Sequence, residues 1–522
     1  MKLINVIKKS TAAIYLLIVF LLFVDLLICQ NFIDQMCKKN FALPNVVLLL
    51  IGLLIVATIS LAIIKLYERI KLSLDRILNK RFIVLLSILL FFLQLYIVKN
   101  VYFWTGWDAE VILASAQSIA NGEQLVSPYY NSYPNNIFIT LLYALIIRIN
   151  ASVGIFSTYG FEIAALQCLF SAITAYLIYS VTLEITKNKL ISLFSFFVYA
   201  IWIGFSPWFV IPYSDASGIL FPILSFRLYQ IAKNTNKNIF KFVLWGILGF
   251  VAFIGFKIKP QIVIVFIAIL IMEGVSLVAH IKDKENFFKR ILALLICLTV
   301  FATSLISFGI YQNKQSVIPV DSEKAIGMTH FLMMGLCQEK DGVYSGDDVA
   351  FSEGIEDASE RSAENLRVAK ERISEMGVAG LVRHLTRKTL VTFGDGTFAF
   401  GNEGRFFNVI PDAPNTISSP FLRSFYYPDG ENNGLFNSVM QCIWLTVLLL
   451  TAFAALYLFK KSHKCNNGLS VIILSLIGLT AFETLFEARA RYLFTYAPMF
   501  IICASVGLFA ILNNLKERRK IK

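Results

Sequence analysis

Apolar runs of about twenty residues, separated by short polar or basic breaks, recur along the whole chain and dictate its first-order structure. A run of that length spans the roughly 30 Å hydrocarbon core as a helix. No other backbone form satisfies its own hydrogen bonds against lipid, and the strict alternation of a β-barrel is absent. The pattern predicts spans near 11–29, 45–64 and 82–100 at the start, and near 438–458, 467–486 and 492–514 at the end. Between them lie apolar stretches near 135–149, 160–182, 190–211, 216–232, 243–256, 261–279 and 291–310. That is one crossing too many if both termini share a side. The expected incomplete span is 190–211, interrupted by Gly204, Pro207 and Pro212, or the short 243–256. About twelve spans are expected.

Basic residues set the orientation. Lys65, Arg69, Lys71, Arg76, Lys80 and Arg81 mark one cytoplasmic loop, Lys460, Lys461 and Lys464 another, and Arg518, Arg519 and Lys520 a cytoplasmic tail. Both termini are therefore expected inside a cell (plasma) membrane, with 311–435 outside as a soluble segment. The expected organisation is a transmembrane module over 1–310, an extracytoplasmic cap over 311–435 and closing transmembrane helices over 436–522. Within the cap, the charged run from Ser352 to Glu375 reads as an exposed helix held partly by i,i+4 pairs.

Composition agrees. The 522 residues are 57% hydrophobic and only 16% charged, with a mean hydropathy of +0.69, which excludes a soluble domain. The net charge of +13 sits in short loops between spans, so it reports orientation and not nucleic acid. The first apolar stretch follows Lys2, Lys8 and Lys9 as a signal peptide would, but no small-residue cleavage site follows it, so it reads as an uncleaved span. The eight cysteines have no metal-type spacing. Cys29 and Cys37 are placed to pair outside, yet no disulfide framework is needed. No phosphate-binding glycine loop, dinucleotide fingerprint or nucleophile elbow appears.

Chemistry concentrates at the expected outer span ends. Asp108, in Thr105-Gly106-Trp107-Asp108-Ala109-Glu110, opens a short amphipathic helix expected to lie flat on the membrane. It reads either as that helix's cap or as a base for a hydroxyl. Tyr133, Pro134 and Asn135 lead into the next apolar stretch, and Asp215 offers a second outer carboxylate. Glu487, Arg489 and Arg491, before Pro498, form a charged group at a span end. The arginines offer forked donors to a phosphodiester leaving group, with Glu487 orienting one of them, or bind lipid headgroups without selectivity. Lys257 and Lys259 sit on the outer side against the charge bias, which makes them candidate phosphate ligands. His330 and Asp395 are further polar candidates in the cap, more readily explained as a structural histidine and a turn aspartate.

These motifs resemble those of the GT-C superfamily of polytopic glycosyltransferases, close to the protein O-mannosyltransferase and aminoarabinose-transferase branch, glycosyltransferase family 39. The matching features are Asp108 with its flat helix, Tyr133-Pro134-Asn135, Asp215, and Glu487-x-Arg489-x-Arg491-Tyr492 before Pro498. The resemblance implies an all-α, GT-C-like bundle that takes a sugar from a polyprenyl-phosphate donor and passes it, with inversion, to an extracytoplasmic acceptor. It implies Asp108 as the catalytic residue, Arg489, Arg491 and Lys257 on the donor phosphate, and Glu487, Tyr133, Asn135, Asp215 and Glu110 in support. It implies no essential cofactor or metal, a divalent cation being left open. Two departures stand out: two extra spans precede the one leading to Asp108, and the outer segment lies before the last three spans. A transporter or flippase, or a polymerase, of lipid-linked glycans shares the span count and basic groups, but a transporter is expected to carry midplane charges in two related halves.

Overall fold

The computed structural model describes residues 2–521 apart from 34, 35, 37, 38, 40, 104, 126, 404–414, 464 and 466. Cys37 and Lys464 thus lie outside the described residues. The chain is a helical bundle without strands among those residues. In chain order its principal helices are α1 (Lys2–Leu27), α2 (Asn45–Ile77), α3 (Lys80–Val101), α4 (Trp107–Ala120), α5 (Ile137–Val153), α6 (Phe161–Thr186), α7 (Lys189–Tyr199) and α8 (Leu220–Asn234). They continue with α9 (Asn238–Ile258), α10 (Val263–Ala279), α11 (Lys284–Lys314), α12 (Ala358–Phe393), α13 (Asn433–Lys460), α14 (Asn467–Leu485) and α15 (Ala497–Ile521). Asn79 and Asn188 start α3 and α7 by accepting from the amides of Phe82 and of Leu190 and Ile191. Large apolar side chains such as Phe20, Leu54, Leu85 and Phe92 face outward, as they do where lipid replaces water.

Both chain termini lie at one end of the bundle. Lys8 Nζ donates to the Cys465 carbonyl at 2.6 Å, and Lys461 meets Glu517 at 3.4 Å. The same end holds the pairing of Lys233 with Glu273 and the 3.1 Å bond from Asn234 to Glu184. Asp108, Asp215 and Glu487 lie at the opposite end, called the site end below.

Among the described residues, eleven helices are long and apolar enough to cross a membrane, Pro134–Val153 included. That stretch, however, does not run from one end of the bundle to the other. Asn136 Nδ2 donates to Tyr129 Oη at 2.6 Å where it begins. Near its end, Arg148 donates to the carbonyls of Ile119 and Ala120, the last turn of α4. The chain then returns to the site end of α3, where the Tyr102 hydroxyl donates to the Tyr159 carbonyl. So α5 runs beside α4, and the incomplete span is 135–149. The expectation of 190–211 or 243–256 is corrected. The latter lies inside the unbroken 21-residue α9. The former breaks at a π-helical turn, Ala200–Gly204, yet joins the end at Asn188 to the site end, where Trp202 Nε1 donates to the Gly396 carbonyl at 2.8 Å. With α7 and α8 counted and α5 left out, twelve helical passages join the two ends. The error has a physical cause: one face of α5 packs on protein while Leu145, Ile149 and Val153 stay exposed, and hydropathy does not distinguish such a helix from one that crosses.

A labelling experiment checks this. Single cysteines at Asn135 and Ser152, which flank α5, should react with an impermeant reagent from the same side as one at Asp357, and one at His463 should react from the other. Opposite labelling of Asn135 and Ser152 would restore α5 as a span.

Between α11 and α13 the chain forms short helices at Met328–Gly335 and Gly346–Glu353 and then α12, which begins at an Asp357 cap on the Glu360 amide and kinks at Gly377. The charged run expected as one helix from Ser352 to Glu375 is broken at 354–357 and is helical from Ala358 on. Beyond α12, the turn 393–400 enters the bundle. Trp444, Trp202 and Trp208 donate to the carbonyls of Phe393, Gly396 and Thr397 at 2.7, 2.8 and 3.0 Å. Gly396 is required by space, since a Cβ there would stand 2.4 Å from the Met440 carbonyl oxygen.

Candidate active site

The site is assembled from the site-end termini of four elements: the start of α4, the turn before α8, the junction of α9 with α10, and the junction of α14 with α15. Trp107 starts α4 with a positive φ of 52°, a costly backbone state for a bulky residue. The N-cap is Gly106, without a side-chain cap bond. Asp108 therefore caps nothing. It is half-buried, and its Oδ2 accepts from the Tyr213 hydroxyl at 3.1 Å. Burial raises the Tyr213 phenol well above its ordinary value, and Asp108 adds to the shift, so Tyr213 stays a donor. Tyr129 is raised likewise by burial and then by Tyr213 and Asp108.

Asp215 is 1% exposed and is neutralised from two sides. Lys259 Nζ pairs with one oxygen and Arg491 Nη1 with the other at 3.1 Å. Arg491 in turn lies against aromatic faces, its Cζ 4.8 Å from the Trp107 ring centre and 5.1 Å from that of Tyr213. The ammonium of Lys259 sits 4.4 Å over the Tyr492 ring. Such contacts help cations out of water without removing their charge.

Glu487 receives Arg489 Nε at 2.8 Å and the Tyr492 hydroxyl at 2.9 Å. Burial raises its carboxyl, but Arg489, Arg491 and the Tyr492 bond outweigh burial and hold it below the ordinary carboxylate value. Arg489 keeps a fifth of its side chain exposed. Glu483, in the last turns of α14, is 2% exposed; among the described residues no side chain hydrogen-bonds it, and the charges of Lys259 and Lys388 and the backbone of Arg489 act on it. Lys388 of α12 donates to the carbonyls of Thr484 and Phe486 at 2.9 and 2.6 Å, closing the negative end of α14.

Burial lowers Lys388 to about 8, with Glu483 and Glu487 opposing the shift. Below pH 8 its charge is held in both folded and unfolded chains and its burial costs the folded state. Between 8 and 10.5 only the unfolded chain still holds the proton, so stability rises with pH. Relative to Lys388→Met, the wild type should therefore gain stability across that window, by at most about 1.4 kcal/mol per pH unit. Parallel melting curves of the two from pH 7 to 10 check it, and a constant gap would refute it.

The structure thus brings together Asp108, Asp215, Glu487, Arg489 and Arg491. Tyr133 stands at the edge, its ring 5.2 Å from Tyr129. Glu110 lies two residues along α4, on a different face of the helix from Asp108 and bonded to Tyr159, its carboxyl raised by burial. Two candidates fall outside the cluster. Lys257 points its ammonium at the Phe308 ring, 5.0 Å away, and Asn135 is exposed and donates to Asn136 Oδ1 at 3.2 Å. His330 bonds Ser352 Oγ at 2.8 Å inside the segment between α11 and α13, and Asp395 accepts from its own turn at Thr397. The members not singled out are Trp107, Tyr129, Glu483 and Lys388; a carboxylate inside an apolar span is the signal by which the sequence could have marked Glu483. Among the described residues, no three His, Cys, Asp or Glu side chains converge as metal ligands.

A family model described as "Conserved hypothetical integral membrane protein" matches residues 3–509. The chain belongs to this family. Membership in this integral membrane family accords with the twelve passages and the outward apolar faces. No curated protein matches the sequence. Among solved structures, the archaeal oligosaccharyltransferase AglB from Archaeoglobus fulgidus, in complex with an inhibitory peptide and a dolichol-phosphate, is similar at 12% identity and a TM-score of 0.37. The match covers 83% of this chain and 51% of that one, so the chain of the integral membrane family spans about half the length of the solved relative.

Proposed function

We infer that this protein is a membrane glycosyltransferase of the GT-C kind, moving a sugar from a polyprenyl-phosphate donor to an acceptor at the site end, which we assign to the extracytoplasmic face of the cell membrane with both termini cytoplasmic. One observation carries the reading. Of the four clustered carboxylates, Asp215, Glu483 and Glu487 are at most 6% exposed, whereas Asp108 is half-buried and no cation pairs with it among the described residues. It is the carboxylate left free to take a proton.

In this reading Asp108 removes the proton of an acceptor hydroxyl as its oxygen attacks the anomeric carbon. The bond from that carbon to the phosphate oxygen breaks, and the phosphate leaves with the electron pair. Arg489, oriented by Glu487 and partly exposed, receives the developing charge. Arg491, Lys259 and Asp215 form the charged floor behind it. Lys257 has no part in this cluster, and no step calls for a metal or other cofactor. The sugar and acceptor are assigned only as classes: a hexose or pentose, and a protein, lipid or wall glycan.

Purified protein given a polyprenyl-phosphate hexose and candidate acceptors should release polyprenyl phosphate and form a glycoside of inverted configuration. One observation favours a second reading, a proton-coupled transporter of lipid-linked glycans: Glu483 is a buried carboxylate inside a span that no side chain hydrogen-bonds among the described residues. An intact donor that changes leaflet in proteoliposomes, with Glu483→Gln blocking the movement, would select that reading over transfer.

A further inference from the structure

On the far side of the 393–400 turn from Asp108, two cavities meet. A polar one of about 290 Å³ is lined by Gln30, Asn31, Lys39 and Asn45. An apolar one of about 820 Å³ shares Ala42 and Leu43 with it and continues between helices. Ile55 and Ile59 of α2 line this groove with Phe197 of α7 and Ile201 of the π-helical turn after it, together with Val439 of α13 and Ala504 of α15. Along the same groove α2 packs so closely on α13 that a Cβ at Gly52 would stand 2.0 Å from Thr446 Oγ1.

The head of the groove holds an ion pair beside a helix N-terminus. The Lys39 side chain is 2% exposed, 3.8 Å from Asp395 Oδ2, and among the described residues its Nζ has no hydrogen-bond partner. Beside it begins α2, 33 residues long, whose first residues Asn45 and Val46 line the cavity. Pro44 before it has no side-chain oxygen to cap the free amides. A buried ammonium held by one carboxylate at 3.8 Å, beyond hydrogen-bond distance, and next to a helix N-terminus has donors to spare for a phosphate. An apolar groove running from it into the membrane-facing bundle is a site for hydrocarbon chains.

We propose that this composite pocket binds one anionic glycerophospholipid, its phosphate on Lys39 and the α2 N-terminus and its chains between α2 and α7. The site is separate from the proposed transfer site. Asp395, the partner of Lys39, belongs to the turn whose other side is blocked by Trp202 stacked on Phe398 and Trp444 and by Phe398 against Phe494. A headgroup at Lys39 is thereby walled off from Asp108, which makes this lipid a fastener for α2 and not a sugar donor.

The test uses the full-length protein, delipidated in detergent and given phosphatidylglycerol, phosphatidylcholine of the same chains, or polyprenyl phosphate, with native mass spectrometry as the readout. Wild type should retain one phosphatidylglycerol about tenfold more tightly than phosphatidylcholine. Lys39→Gln should erase that preference, Val439→Trp should abolish retention of both lipids by filling the groove, and Val84→Trp on the outward face of α3 should change nothing. Equal retention of the two phospholipids by wild type, unaltered retention in Val439→Trp, or displacement of phosphatidylglycerol by polyprenyl phosphate would overturn the proposal. Loss of transferase activity does not enter the readout, so it stands or falls apart from the proposed function.

Discussion

Asp108→Asn is expected to lower the transfer rate by about 10² to 10⁴, the usual worth of a positioned general base, while expression, folding and donor binding persist. The prediction is sharp because of what the substitution preserves. Asn has nearly the same size, and its Oδ1 still accepts from the Tyr213 hydroxyl that holds Asp108 at 3.1 Å. The helix start is untouched, because Gly106 is the N-cap and Asp108 caps nothing. Only basicity is lost. The comparison is Asp215→Asn, which leaves Lys259 and Arg491 buried with their charges uncompensated and should fail in yield before it fails in rate. Rates are taken at saturating donor on protein shown to be folded. A rate within a few-fold of wild type for Asp108→Asn would remove it as the base, and with it the observation on which the proposed function rests.

Arg491→Ala is expected to have the largest effect on stability, about 3–5 kcal/mol, because truncating one member of a buried charged group leaves the rest unpaired. Asp215 would keep only Lys259, and the Trp107, Tyr213 and Tyr492 rings would lose the guanidinium they enclose. Arg489→Ala should behave differently. Its side chain is more exposed, so the fold should survive while donor affinity falls. Thermal unfolding in detergent, paired with donor binding, separates the two arginines. Equal melting temperatures for wild type and Arg491→Ala would remove the Asp215 triad as a structural element.

The span ends were legible in the sequence because charge in an apolar chain needs a reason, and Asp108, Glu487, Arg489 and Arg491 announced themselves in that way. What they touch was not. The pairing of Asp215 with both Lys259 and Arg491 joins residues 44 and 276 positions apart, and no local pattern encodes it. The choice between Lys257 and Lys259 shows how local the missing information is. Helix α9 ends at Ile258, and Lys259, before Pro260, takes extended backbone at φ −155° that turns it toward Asp215. Lys257, still on the helix, faces α11 at Phe308. The α5 segment fails for another reason. Its apolar sequence meets the span criterion, and only Arg148, resting on the last carbonyls of α4, betrays that it lies beside another helix.

The 393–400 turn makes the segment between α11 and α13 and the bundle one cooperative unit. Three indole N–H groups from two different parts of the bundle, Trp202 and Trp208 on one side and Trp444 on the other, end on its carbonyls. Withdrawing it would strand each donor at about 1–3 kcal/mol and uncover the faces of Trp202 and Trp444 that stack there. Such a wedge ties local opening of that segment to opening of the bundle itself, so slow hydrogen exchange should extend from the spans into this turn and fade only beyond it.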